Sequence, residues 1–218
     1  MPLDFAAMHS PWLTWRTLTW LGDSTLLLPA AAAVGLALVF TRGWFRLALR
    51  WAVAFGSTGF LVLATKVAFV GWGIGSASAD FTGISGHSAL AAGFWPVLGW
   101  LAVDRRSAPL RGCAIGLGVA LALAVGYSRL TLSAHSTSEV ITGLALGLLA
   151  SAWFLRTALR RPRPGFSLAP LAIGMTLALI ALLHGRPAPT TPLIEKLVVR
   201  ALGISQPFTR HDLHRRRF

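Results

Sequence analysis

The chain has 218 residues, 55% of them hydrophobic and only 12% charged, with a formal net charge of +13. An ordinary soluble domain carries about twice that share of charge, so the composition points to a bundle in lipid rather than a water-soluble fold. The basic residues lie between apolar runs and in the C-terminal tail, where membrane topology accounts for most of them, which argues against nucleic acid as a partner. The single cysteine, Cys113, excludes an intramolecular disulfide and a thiolate metal centre.

Residues 1–23 lack a basic leader and carry Asp4, so a cleaved signal peptide is not expected. Trp12, Trp15 and Trp20 beside Arg16 read as an interfacial anchor. Six apolar spans follow within residues 24–183: Ser24–Thr41, Leu47–Trp72, Ser88–Val103, Gly112–Tyr127, Val140–Leu155 and Phe166–Leu183. They lie near the lower limit of about 17–20 residues that a helix needs to cross hydrocarbon. An open sheet cannot satisfy its edges in lipid, and the ~10-residue alternation of a barrel is absent. The expected fold class is therefore an all-α integral membrane bundle of about six transmembrane helices.

Arginine sets the orientation. Arg42 and Arg46, then Arg105, Arg106 and Arg111, then Arg156, Arg160, Arg161 and Arg163 fall in three connections on one side by parity. The positive-inside rule makes that side cytoplasmic and leaves the connections 72–87 and 128–139 external. Residues 184–218 form a basic tail ending in Arg215, Arg216 and Arg217. Six spans place this tail outside, whereas its charge favours the inside. His184, His211 and His214 lack metal-ligand spacing.

Once the cytoplasmic arginines are set aside, the remaining charge gathers in the external connections as Lys66, Asp80, His87, Arg129, His135 and Glu139. Ionisable groups near a membrane are costly and usually face a polar cavity. In Gly83-Ile84-Ser85-Gly86-His87-Ser88, a Ser/Gly turn opens a helix whose free amides and dipole favour an anion. The same residues would also serve as a simple helix cap. In the second segment Arg129 can fork onto two phosphate oxygens. His135 and Glu139, four apart, share a helical face. The carboxylate can fix the imidazole tautomer and leave one nitrogen free to attack. Alternatively, Ser136 and Glu139 form a capping box, and one side chain is not expected to fill both roles completely. Asp80 reads as a solvated loop residue or a partner of Lys66. Gly143 and Gly147 read as a helix-packing face.

Together these segments resemble the type-2 phosphatidic acid phosphatase superfamily, which includes bacterial vanadium haloperoxidases and acid phosphatases. Ser85-Gly86-His87 is similar to that family's second motif. Ser128-Arg129, five residues, His135, three residues and an acid follow the spacing of the third. Lys66 stands where the first motif begins. The resemblance covers about Lys66 to Leu155 and implies a transmembrane phosphatase domain over 24–183. It implies His135 as nucleophile, His87 as general acid, and Glu139 as the acid beside the nucleophile. Lys66, Ser85, Gly86 and Arg129 would hold the phosphate, with no metal and no other cofactor. The implied partners are a lipid phosphate substrate and membrane lipids. The expected place is a bacterial inner (plasma) membrane, where the arginine-set orientation faces the site to the periplasm or outside. Two departures stand out. The Arg-Pro expected seven and eight residues after Lys66 is Gly73-Ile74, and Glu139 replaces an Asp, pushing the carboxylate outward by about 1.5 Å. These departures leave open a catalytically weakened lipid-phosphate-binding or transport protein on the same scaffold.

Overall fold

The computed structural model describes residues 11–160, 176 and 190–215. A short helix α1 (Pro11–Thr19) and a 3-10 turn (Trp20–Gly22) lead into α2 (Ser24–Phe40). Then come α3 (Phe45–Trp72), α4 (Gly86–Ala102), α5 (Ala108–Thr131) and α6 (Thr137–Ala158). Two further helices, α7 (Thr190–Leu202) and α8 (Arg210–Arg215), belong to the basic tail. Among the described residues the only strand-like pairing is one antiparallel bridge between Ser76 and Phe81.

Among the described residues four stretches are long and apolar enough to cross a membrane: Trp15–Phe40, Phe45–Trp72, Ala108–Thr131 and Thr137–Ala158. The protein is an integral membrane helical bundle. The expected span Phe166–Leu183 lies outside the described residues, apart from Thr176. The expected span Gly112–Tyr127 is longer in the structure, because α5 runs on past Arg111 and Arg129. A charge does not end a helix when its long side chain can reach headgroups or a polar cavity.

Local chemistry fixes the helix ends. Asp23 caps α2, its Oδ1 accepting from the Thr25 amide at 2.7 Å. Ser136 and Glu139 form a capping box at the start of α6. Gly73 ends α3 with φ +66, a left-handed conformation that suits glycine. At Gly73 the chain turns, and the Gly73 and Ile74 amides bond back to Phe69 and Ala68.

The 17-residue α4 is the central post, with α2, α3, α5 and α6 packed around it. Small residues let the backbones close in. A methyl built on Gly147 of α6 would stand 2.2 Å from the Ala89 carbonyl oxygen, and one on Gly118 of α5 would stand 2.4 Å from that of Trp95. Gly143 meets Ser85 in the same way, so the Gly143/Gly147 face packs as expected. Trp51, Phe55, Phe94, Trp100 and Phe154 form an aromatic cluster within the core.

The tail docks at the far end of α3 from Arg50. The Phe208 amide donates to the Val70 carbonyl at 3.0 Å, and Val198 and Leu213 form a small second core with Phe69 and Val70. The described part of the basic tail therefore lies at the end opposite the arginine-rich connections. This agrees with the parity of six spans rather than with the tail's charge.

Candidate active site

The site begins with a buried carboxylate. Glu139 is fully buried in the first turn of α6. An isolated carboxylate there would cost several kcal/mol, so its partners decide whether it is tolerated. Oε1 accepts from the Thr82 amide at 2.8 Å, the Thr82 hydroxyl at 2.6 Å and Arg210 Nη2 at 2.8 Å. Oε2 accepts from the Ser136 amide at 3.2 Å and meets His135 Nδ1 at 2.7 Å. The carboxylate thus completes the capping box and orients His135 at once, because its two oxygens divide the work. The expectation that one side chain would not do both is corrected.

With Glu139 accepting on every side, the proton of neutral His135 belongs on Nδ1, which leaves the Nε2 lone pair free. Burial holds the His135 imidazole below the ordinary histidine range. Nearby Lys66 and Arg129 push the same way, and Glu139 opposes them. A tight turn delivers the ring: α5 stops at Thr131, Ser133 takes φ +50, and the Ala134 amide bonds back to the Arg129 carbonyl at 3.0 Å.

The Ser85-Gly86-His87 segment is tied to Glu139 by backbone, since the Ser85 amide donates to the Glu139 carbonyl at 3.1 Å. Ser85 is fully buried and its hydroxyl is paired with that of Ser88 at 2.9 Å. Gly86 and His87 open α4, whose N-terminus has no side-chain cap. His87 lies within electrostatic reach of Arg129 and His135. Its Nε2 faces Asp23 Oδ2 at 3.6 Å. Asp23 is held there by contact: a methyl on Gly22 would stand 3.1 Å from His87 Cβ, and Trp95 Nε1 donates to the Leu21 carbonyl at 2.9 Å.

A cavity of about 350 Å³ opens between Lys66, Arg129, His135, Thr82 and Arg210, with Phe69, Val70 and Ile194 giving it an apolar side. Lys66 makes no hydrogen bond among the described residues, and Gly83 packs against its stem. Arg129 donates from Nη1 to the Thr19 hydroxyl at 2.8 Å, while its Nε is buried without a partner. Asp80 is not a free loop residue. It takes φ +48, pairs with Arg210 Nη1 at 2.5 Å and meets His214 Nε2 at 2.8 Å.

The structure thus gathers Lys66, Ser85, Gly86, His87, Arg129, His135 and Glu139 at one end of the bundle, the Ser85 hydroxyl being turned inward. It adds Thr19, Asp23, Thr82 and Arg210, which the motifs do not contain. Asp23 was visible in sequence only as the charge that precedes the first apolar span. Arg210 carried no signal, lying in a tail read only as basic.

Comparison with known proteins identifies the family. The PAP2 superfamily matches residues 66–163. An uncharacterized 22.5 kDa protein in the cps region of Klebsiella pneumoniae is 45% identical over 206 residues, 93% of this chain and 99% of that protein. The crystal structure of a transmembrane PAP2-type phosphatidylglycerolphosphate phosphatase from Bacillus subtilis superposes with a TM-score of 0.53 at 26% identity. The match covers 72% of this chain and 82% of that one. On motif order, helical membrane fold and these relatives together, the chain belongs to the PAP2 superfamily of membrane phosphatases.

Proposed function

We propose that this protein hydrolyses a lipid phosphate or pyrophosphate through a phosphohistidine intermediate at the outer face of a bacterial inner membrane. The observation that carries this reading is the His135–Glu139 couple at 2.7 Å beside Lys66 and Arg129 in one cavity. The His135 Nε2 lone pair attacks phosphorus and the bond from phosphorus to the leaving oxygen breaks. His87 gives that oxygen its proton. Water then attacks phospho-His135, returning its proton to His87 and releasing phosphate. Lys66, Arg129 and the open amides of α4 stabilise the charge of the transition state, so the chemistry calls for no metal. Phe69, Val70 and Ile194 offer the apolar side that a lipid chain requires.

Candidate substrates are phosphatidic acid, phosphatidylglycerol phosphate and undecaprenyl pyrophosphate. An outward site favours the phosphate or pyrophosphate of an envelope lipid carrier. Phosphate release by the purified protein across this panel is the test. Turnover that resists chelators, leaves an acid-labile phosphoprotein and is lost in His135→Ala is expected. Binding without turnover across the whole panel would instead support the catalytically weakened binding or transport reading, which rests on Gly73-Ile74 standing in place of Arg-Pro. Sidedness is tested by Ser133→Cys in a background without Cys113, where labelling only from the cytoplasm would reverse the orientation.

A further inference from the structure

The geometry points to Arg210, brought by the tail, as an active-site residue that holds Glu139 on His135 and adds a third positive charge beside Lys66 and Arg129. This inference rests on the phosphatase reading for its chemistry and on the described contacts for its geometry.

Two sets of observations meet here. The first is the docking of the tail onto the end of α3. Phe208 lies against Gly73, where a methyl would stand 2.9 Å from its ring. Leu202 closes on Gly71 in the same way, at 2.7 Å. The Phe208 amide bonds to Val70. The place where the resembling family carries Arg-Pro is thus a left-handed glycine turn covered by an aromatic ring. An arginine at residue 73 would have both strained backbone and no room.

The second is the aim of Arg210. Its Nη2 donates to Glu139 Oε1 at 2.8 Å, and its Nη1 donates to Asp80 Oδ2 at 2.5 Å. His214 meets the other oxygen of Asp80 at 2.8 Å. The guanidinium lines the same cavity as Lys66, Arg129 and His135. One planar cation therefore bridges a half-exposed carboxylate and a fully buried one, a geometry suited to arginine's fork. A merely solvated tail would not place its cation on the carboxylate that orients the nucleophile.

The charged groups around His135 are Glu139 on α6, Lys66 on α3, Arg129 on α5, His87 on α4 and Arg210 on α8, with Glu195 on α7 lining the same cavity and Asp80 behind Arg210. Removing Arg210 leaves Glu139 less neutralised, so His135 holds its proton more tightly. Activity that needs neutral His135 then fades at a higher pH as the medium is acidified.

The test uses the whole chain in detergent as wild type, Arg210→Ala and Arg210→Lys, with dioctanoyl phosphatidic acid and farnesyl pyrophosphate as substrates. Arg210→Ala is expected to lose about tenfold or more in kcat/KM. Its acid limb should move to higher pH, and added guanidinium should restore part of the activity. Arg210→Lys should keep the limb at its wild-type position. Inorganic phosphate should raise the thermal midpoint of wild type more than that of Arg210→Ala. Activity of Arg210→Ala within about twofold of wild type would overturn the inference. So would a loss with neither limb shift nor guanidinium rescue, because Arg210 would then only anchor the tail. If wild type turns over neither substrate, the phosphatase reading fails by itself and the phosphate-induced shift decides for Arg210. A smaller shift in Arg210→Ala supports the inference, and an equal shift, or none in wild type, overturns it.

Discussion

Asp23 Oδ2 stands 3.6 Å from His87 Nε2, and the same carboxylate caps α2 through the Thr25 amide. The site therefore contains two imidazole–carboxylate couples, His135 with Glu139 and His87 with Asp23. The negative charge of Asp23 offsets part of the cost of protonating a ring that is buried beside Arg129, and so assists a general acid there.

Replacing Asp23 separates its two roles. Asp23→Asn keeps a capping oxygen and removes the charge, so turnover should fall by about 10- to 100-fold with little change in stability. Asp23→Ala should lose the same activity and a further ~1 kcal/mol of stability through the lost cap. Steady-state kinetics beside thermal unfolding of both variants checks this, and full activity in Asp23→Asn would remove Asp23 from the mechanism.

The pH profile follows from His135. In the proposed mechanism attack by His135 requires the neutral ring, and burial with two nearby cations holds this imidazole below its ordinary range. The acid limb of kcat/KM should therefore lie below the ordinary histidine value of about 6.5, with activity lost as pH falls through it. A limb well above that value would show that another group controls attack.

Glu139 is open to two contrasting changes. Glu139→Gln replaces acceptors with a donor facing Thr82, Arg210, Ser136 or His135. At least one buried donor is then left unmatched, at about 1–3 kcal/mol, and turnover should fall by more than about 100-fold. Glu139→Asp keeps the charge but shortens the reach to partners on three separate segments. A milder loss, about tenfold, is expected. The ordering Glu, Asp, Gln in both activity and thermal midpoint is the measurable outcome.

Helix spacing carries the fourth prediction. Gly147→Ala would press a methyl onto the backbone oxygen of Ala89, which cannot yield as a flexible side chain would. A loss of about 1–3 kcal/mol in stability should accompany reduced activity, because α4 bears His87 and α6 bears Glu139. Gly59→Ala, with open space around its built methyl, is the control and should be silent. Equal behaviour of the two variants in thermal unfolding would show that the α4–α6 contact tolerates widening.

The helices and the central motifs were readable in the sequence because each rests on a local signal. Apolar runs between charges marked α2, α3, α5 and α6, and the joint spacing of Ser85-Gly86-His87 with Arg129, His135 and Glu139 marked the family. The contributions of Thr19, Asp23 and Arg210 were hidden for a physical reason. Each reaches the site through tertiary packing: Thr19 and Asp23 on the turn that Gly22 seats against His87, and Arg210 through the Phe208 contact with Gly73. Gly73 was read as a missing arginine, yet its left-handed φ shows it has work of its own in turning the chain. Asp80, read as a solvated loop residue, became a partner of Arg210 and His214 because the tail folds over it.

The seat of Phe208 on Gly73 also bears on how the protein is made. Its polar centre draws on residue 23 at one extreme and residue 210 at the other. A nascent chain that has threaded α2 through α6 already holds both histidines, but Arg210 joins only when α8 arrives. On the role proposed for Arg210, partly synthesised or clipped chains would sit in the membrane with Glu139 lacking one of its donors, and competence would be acquired late in biogenesis.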